Sequence, residues 1–209
     1  MILPEGVSGA AFGTAVDGNP RTDAAARRAV SDFLGIPSEW AWVHQVHGAD
    51  VVEASAPGYI GEGDAIITVN RGIPVAVSVA DCLPVVLVAR EAVGVAHVGW
   101  RGAAAGVVQA AAAAMAAAGH PAERVVIGPG IRACCFEVGP EVAERFPSHP
   151  ATTTWGTDSV DLAAVVADAV DDVEVFDVAS CTNHDERFNS HRRNGTKLRQ
   201  FGVAWLTPA

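Results

Sequence analysis

The sequence predicts an α/β (α+β) fold: a single-domain, mixed-sheet sandwich with helices on its outer faces. Three observations lead there. Half of the 209 residues are hydrophobic, enough to build a sizeable core. Short apolar runs rich in β-branched residues recur between Trp40 and Ile127, the pattern of half-buried and buried strands. Helical segments intermix with those runs without regular βαβ alternation, which disfavours a doubly wound parallel sheet. The chain has no fixed-period repeat, and residues 1–209 read as one unit.

Taken in order, Gly6-Val7-Ser8 and Asp17-Gly18-Asn19-Pro20 are turns. Thr22 or Asp23 is placed to cap a helix over Ala24 to Leu34, closed by Gly35 and Pro37. Trp40 to Gly48 reads as a short strand entering a glycine turn, and Ala49 to Ala54 as a second strand. Gly58 to Gly63 is a predicted loop, followed by a strand over Ala65 to Val69. Two apolar runs, Pro74 to Ala80 and Pro84 to Ala89, are split by Asp81-Cys82-Leu83. The second turns at Arg90-Glu91 into Val93 to Val98, forming a hairpin. Within that last strand Val93, Val95 and His97 share one face. Gly99 and Gly102 then frame Trp100 and Arg101, and helix formers run from Ala103 to Ala118, with Gly119 as the stop. Arg124 to Ile127 and Val173 to Val178 are strands; Glu141 to Phe146, opened by Pro140, and Leu162 to Ala169 are helices. Ser148 to Thr157 is a loop, and Cys181 to Phe201 a polar tail.

Composition removes several function classes. A formal net charge of −10 argues against nucleic-acid or anionic-membrane partners and makes any local arginine cluster more informative. The uncharged stretch Gly102 to Gly119 is long enough to raise the question of a membrane span. Alanine is only weakly apolar and Gln109 interrupts the run, so a buried helix packed through small side chains is the better reading. Met1 to Gly6 has neither the basic start nor the apolar run of a signal peptide, which suggests a cytoplasmic protein with four reduced cysteines.

The residues able to do chemistry fall near predicted strand ends. His47, Cys82 and His97 offer two imidazoles and a thiolate, and three protein ligands with an open fourth position suit a catalytic metal. The same residues also fit two satisfied histidines and a buried thiol, and spacing alone does not choose. His44 lies three residues before His47; in a strand the two rings would take opposite faces, which favours His47 alone. Asp81 either orients a ligand or carries a proton, or simply makes the turn. Arg101, between glycines at a helix start, is an anion candidate. His191, Arg192 and Arg193 form a second cationic knot, either a solvated face or a phosphate contact. Cys134-Cys135 reads as core filling.

Five motifs occur in order: Gln45-Val-His-Gly48, Ala80-Asp-Cys-Leu-Pro84, Ala96-His-Val-Gly-Trp-Arg-Gly102, Ile127-Gly-Pro-Gly-Ile131 with Cys134-Cys-Phe-Glu-Val138, and Phe188-Asn-Ser-His-Arg-Arg193. Together the set resembles the YfiH/DUF152 family, also called the multicopper polyphenol oxidase (laccase-domain) family and regarded as purine nucleoside phosphorylases. The resemblance implies a YfiH-like sandwich and a zinc site of His47, Cys82 and His97. It also implies that a purine nucleoside and inorganic phosphate are the partners, with methylthioadenosine phosphorolysis and adenosine deamination as related activities. On this reading Asp81 and Arg101 are catalytic, and His44, Gln45, Arg101 and Arg192 contact substrate or phosphate. The chain departs from the family at Leu3 to Ser8, which lacks the usual Arg, and at Arg132, where a small residue is commoner. Competing readings are a copper (Cu2+) polyphenol oxidase, a Cys-His hydrolase built on Cys82 and His97, and a zinc-stabilised binding module.

Overall fold

The strands sort into two packed sheets because their side chains alternate between two apolar environments. In a computed structural model, which describes residues 1–170 and 172–207, the elements run β1 (Ala10–Phe12), α1 (Ala24–Leu34), β2 (Ala41–His44), β3 (Val51–Glu53) and β4 (Gly58–Glu62). Next come β5 (Ala65–Thr68), β6 (Val75–Val79), β7 (Leu83–Val88), β8 (Val93–Val98), α2 (Trp100–Ala105) and α3 (Val107–Ala117). Then follow β9 (Arg124–Ile127), α4 (Pro140–Ala143), β10 (Pro150–Thr152), β11 (Asp158–Val160), α5 (Leu162–Ala167), β12 (Glu174–Asp177), α6 (His191–Asn194) and β13 (Gln200–Ala204). One sheet has the order β1-β13-β6-β2-β4, the other β12-β9-β7-β8-β5-β3, and β10 and β11 form a separate pair. Both large sheets mix parallel and antiparallel neighbours, as predicted.

Alternation assigns the layers. Leu83, Val85 and Leu87 of β7 with Ala96 and Val98 of β8 meet Val107, Val108, Ala111 and Met115 of α3 on the outer face. The opposite side chains, Val86, Val93 and Val95, meet Phe12, Val75, Val77 and Val79 between the sheets. β7 and β8 are buried on both faces, which explains their near-continuous apolar sequence. On the far side of the five-stranded sheet, Val30 and Leu34 of α1 cover Phe201 and Val203. The helix is capped by the Asp23 carboxylate and ends at Gly35 in the left-handed region.

The predicted hairpin exists as β7 paired with β8, registering Pro84 against His97. Four expectations change. Gly58–Glu62 is a strand on β2, not a loop, because parallel pairing supplies its backbone partners. The single helix expected from Ala103 to Ala118 is two, broken where Gly106 turns left-handed at φ +81°. Ser148 to Thr157 contains a strand, β10, whose partner is β11. The polar tail ends in β13, fully buried between β1 and β6. No helix among the described residues is long and apolar enough to cross a membrane, and Ala111 and Met115 instead bury α3 against the sheet.

Candidate metal centre and cavity

Three chain reversals deliver the chemical groups to one end of the sandwich. β2 ends at His44, so His47 sits in a turn at φ +63° rather than on the strand. That turn, not strand alternation, separates His47 from His44. Asp81 and Cys82 lie in the tight link between β6 and β7, with Asp81 at φ +82°. His97 is the penultimate residue of β8 and shares the inter-sheet face with Val93 and Val95, as the alternation predicts. Positive φ at a side-chain-bearing residue costs about 1–3 kcal/mol and persists only where the surroundings hold it. His47 and Asp81 are both held.

The carboxylate of Asp64 holds the first. It is completely buried and accepts N–H bonds from Val46, His47 and Gly48 at 3.1, 3.0 and 2.6 Å. It also takes the Nδ1–H of His97 at 2.7 Å. One side chain therefore fixes the His47 turn and sets the His97 ring so that Nε2 points outward. Asp81 is fixed from the other end of the chain: Thr182 Oγ1 donates to its Oδ1 at 2.7 Å, and the Arg192 N–H donates to its Oδ2 at 2.7 Å.

One donor atom from each of His47, Cys82 and His97 lies within 4.8 Å of the others. The two rings meet edge to face, centroids 4.7 Å apart. Burial raises the Cys82 thiol, but hydrogen bonds from His47 and His97 and their charges outweigh it, drawing the thiol down to about 6. Burial lowers His97, but the Asp64 hydrogen bond and the Cys82 thiolate lift it to about 9. Burial also raises Asp64, yet the His97 hydrogen bond and the turn N–H groups leave it below its ordinary value. Two nitrogens, a thiolate, a carboxylate behind one imidazole, and an open side make a donor set that fits a transition-metal ion.

That open side is a cavity of about 390 Å3. His47, Asp81 and Cys82 form its floor, and Trp100, Ile131, Phe136 and Leu162 its apolar wall, with Arg101, His191, Arg192 and Arg199 completing the lining. Arg101 stacks on Trp100, its guanidinium carbon 4.2 Å from the ring centroid. Arg192 sits 5.6 Å from the centroid of Phe136 and donates to the Glu137 carbonyl at 2.9 Å. A second cavity of about 330 Å3 shares His47, Cys82 and Arg199 and adds Arg21, His44 and Gln45. The Gln45 amide is already engaged: it donates to the Ser78 carbonyl at 2.8 Å and accepts the Ser78 N–H at 2.9 Å.

The sequence reading missed Asp64, Thr182 and Arg199. A signal existed for Asp64, an acid directly before the apolar run Ala65-Ile-Ile67, since a charge there needs buried partners. Nothing in the local sequence marks the other two. Gly99 has a packing reason: a Cβ there would stand 3.0 Å from Cys82 Sγ and 3.2 Å from His47 Cδ2. Gly99→Ala is therefore expected to push both donors aside and weaken metal binding about tenfold or more. Competition titration with a chromophoric chelator measures it.

Comparison with known proteins agrees with this architecture. Over residues 5–207 the chain matches the family described as multi-copper polyphenol oxidoreductase laccase. A protein of Streptomyces coelicolor named purine nucleoside phosphorylase is 38% identical, over 93% of this chain and 87% of its own. Escherichia coli YfiH, which carries the same name, is 34% identical over 82% and 75%. Among solved structures, YlmD of Geobacillus stearothermophilus superposes with a TM-score of 0.82 at 28% identity, covering 96% of this chain and 93% of that one. A Neisseria meningitidis protein of the DUF152 family gives 0.75 at 31%, covering 88% and 80%. With the matching fold and a family match spanning nearly the whole chain, this protein belongs to the multi-copper polyphenol oxidoreductase laccase (YfiH/DUF152) family.

Proposed function

We propose that this protein is a zinc-dependent purine nucleoside phosphorylase, converting a purine nucleoside and inorganic phosphate into free base and ribose 1-phosphate. One observation carries the reading. His47 and Cys82 of the His47–Cys82–His97 cluster, the fixed Asp81 carboxylate and three arginines line one largely apolar cavity, while His97 opens onto the adjoining one. The relatives named purine nucleoside phosphorylase support the substrate class.

The reaction breaks the C1′–N9 bond as a phosphate oxygen bonds to C1′, and the electron pair leaves with the base. The transition state is a sugar cation flanked by an anion, as in glycoside hydrolysis. Arg101 and Arg192, with Arg199 beside them, hold the phosphate and its charge. Trp100 and Phe136 supply flat apolar surface for the purine. Asp81, with one lone pair on each oxygen already used, accepts a proton-bearing group of the substrate, a ribose hydroxyl or a purine N–H. His47, Cys82 and His97 would hold zinc, whose chemistry when bound is Lewis-acid polarisation of an oxygen or nitrogen donor. His44 and Gln45 belong to the adjoining cavity, where Gln45 acts through the Ser78 backbone to shape the wall. Methylthioadenosine phosphorolysis and adenosine deamination are side activities of the same pocket.

The test is zinc-loaded protein incubated with adenosine, inosine, guanosine and methylthioadenosine, with and without phosphate, products read by mass. Base and ribose 1-phosphate appearing only with phosphate is the expected result. Base release independent of phosphate, or none, overturns phosphorolysis, and inosine formed from adenosine reports deamination. Arg101→Ala should raise the phosphate KM by about tenfold or more, since charge-assisted bonds are worth about 1.5–3 kcal/mol.

A second reading has its own observation. Cys82, His97 and Asp64 are ordered as nucleophile, base and orienting carboxylate, with the thiol drawn down to about 6. It predicts that iodoacetamide alkylates Cys82 rapidly even in metal-loaded protein. Protection by metal supports the phosphorylase reading. Copper competes for the same His2Cys donors, and elemental analysis of protein purified without added metal separates copper from zinc.

A further inference from the structure

The two cysteines expected to fill core do not face only aliphatic neighbours. Cys135 is fully buried and Cys134 and Cys181 half-buried against the same apolar cluster. Their sulfurs nevertheless converge on one another and on the exposed His184 ring. One donor atom from each of the four residues lies within 4.8 Å of the rest. Cys134 Sγ is 3.6 Å from Cys135 Sγ, and Cys135 Sγ is 3.1 Å from His184 Nε2. Tetrahedral zinc, with bonds of about 2.3 Å to sulfur and about 2.0 Å to nitrogen, sets its ligands roughly 3.5–3.8 Å apart.

We propose that Cys134, Cys135, Cys181 and His184 form a second, structural zinc site. It is separate from the His47–Cys82–His97 cluster and does not depend on the phosphorylase reading. Four protein donors leave no open position, the mark of a structural rather than a catalytic ion. Binding exchanges thiol protons for metal–sulfur bonds: each protonated cysteine releases one proton to solvent, and no oxidant or reductant is needed.

Both loops are already shaped for this. The Cys134 carbonyl accepts the Thr154 N–H at 2.9 Å. The turn from Cys181 is closed by the Asp185 N–H on the Cys181 carbonyl at 2.9 Å, and Thr182 N–H bonds the Gly130 carbonyl at 3.0 Å. Arg193 Nη1 donates to the carbonyls of Thr182 and Asn183 at 2.8 and 3.2 Å, placing a guanidinium beside the site. A zinc ion with three thiolates and a neutral imidazole carries one net negative charge, which that guanidinium offsets.

The ion has a structural consequence. Thr182, directly after Cys181 and two residues before His184, supplies the hydroxyl that holds Asp81. Clamping that turn to the loop after β9 would fix Asp81 at the cavity floor. Zinc at the second site is thus expected to tighten the catalytic end of the molecule without touching substrate.

The experiment uses the full chain, reduced, loaded with Zn2+, gel-filtered, and assayed for metal by mass spectrometry. Wild type should carry about two zinc ions per chain. Cys82→Ala should retain one, and His184→Ala, at an exposed position, should also retain one. Cobalt bound to the Cys82→Ala chain should give the strong sulfur charge-transfer absorption of a thiolate-rich tetrahedral site, lost in Cys82→Ala/Cys181→Ser. Metal-free Cys82→Ala, or an unchanged metal content on adding His184→Ala to it, overturns the site. So does an intact mass short by two hydrogens after reductant is removed in the presence of zinc, since that identifies a disulfide instead.

Discussion

Cys82→Ala is expected to remove the metal of the central cluster and phosphorolysis together. Structural-type zinc affinities of about 10–16 kcal/mol, shared over three protein ligands, put one ligand at about 4 kcal/mol. That is about a thousand-fold in affinity, enough to strip the ion during purification. The fold should survive. Cys82 lies in the link between β6 and β7, at the end of the strands rather than in the centre of the inter-sheet core, and is only partly buried. Circular dichroism unchanged, metal content reduced and base release abolished is the predicted combination. Metal retained in the variant would refute the ligand assignment. Metal lost with activity intact would free the reaction from the cluster altogether, leaving Asp81 and the arginines to account for it.

Asp64→Asn should be the most damaging isosteric change in the protein. The carboxylate accepts four N–H groups through two oxygens, and an amide presents one oxygen and an NH2. Whichever way it is turned, the NH2 meets donors: Val46 and Gly48 on one side, His47 and the His97 ring on the other. Donor facing donor in a fully buried place leaves groups unsatisfied, at about 1–3 kcal/mol each. Losing the charge against a raised His97 brings the expected total to about 3–5 kcal/mol. Chemical denaturation of both proteins in parallel checks it.

The pH dependence carries a sign. Asp64 is lowered from the ordinary 3.8, so its contribution is fully present above pH 3.8 and fades as pH falls through the lower folded value. The gap between wild type and Asp64→Asn should therefore narrow only in that acid window. A gap that stays constant there would mean that shape, not charge, is what Asp64 supplies. His97 titrates in the opposite sense: raised to about 9, its stabilisation is present below 6.5 and lost as pH rises through 9. In metal-free protein the Cys82–His97 pair is thus strongest between the two shifted values.

How much was legible depended on whether the determining contact was local. The α1 span could be read because its cap, Asp23, and its stop, Gly35, lie beside the helix they bound. The β7–β8 hairpin could be read because one short turn joins two apolar runs. Gly58–Glu62 reads as a loop in one dimension because its partner strand, β2, lies across an intervening strand and its side chains are too mixed to show a period. β13 was hidden for the same reason: its partners, β1 and β6, are more than a hundred residues away in sequence. Gly106 was visible, but a lone glycine in an alanine run gives no sign that the chain turns left-handed there.

The sequence by itself determined the ingredients: strand faces, the alternation that turns His97 inward with Val93 and Val95, and the residue types at 47, 82 and 97. Periodicity and composition act between neighbours, so they survive in one dimension. Only the tertiary structure decided what those residues meet. Asp64 behind His97, Thr182 and Arg192 on Asp81, and His184 against three sulfurs are contacts between segments far apart in sequence that become adjacent only when the strands pair and their end loops pack together. Their geometry is set by packing, which no local pattern encodes.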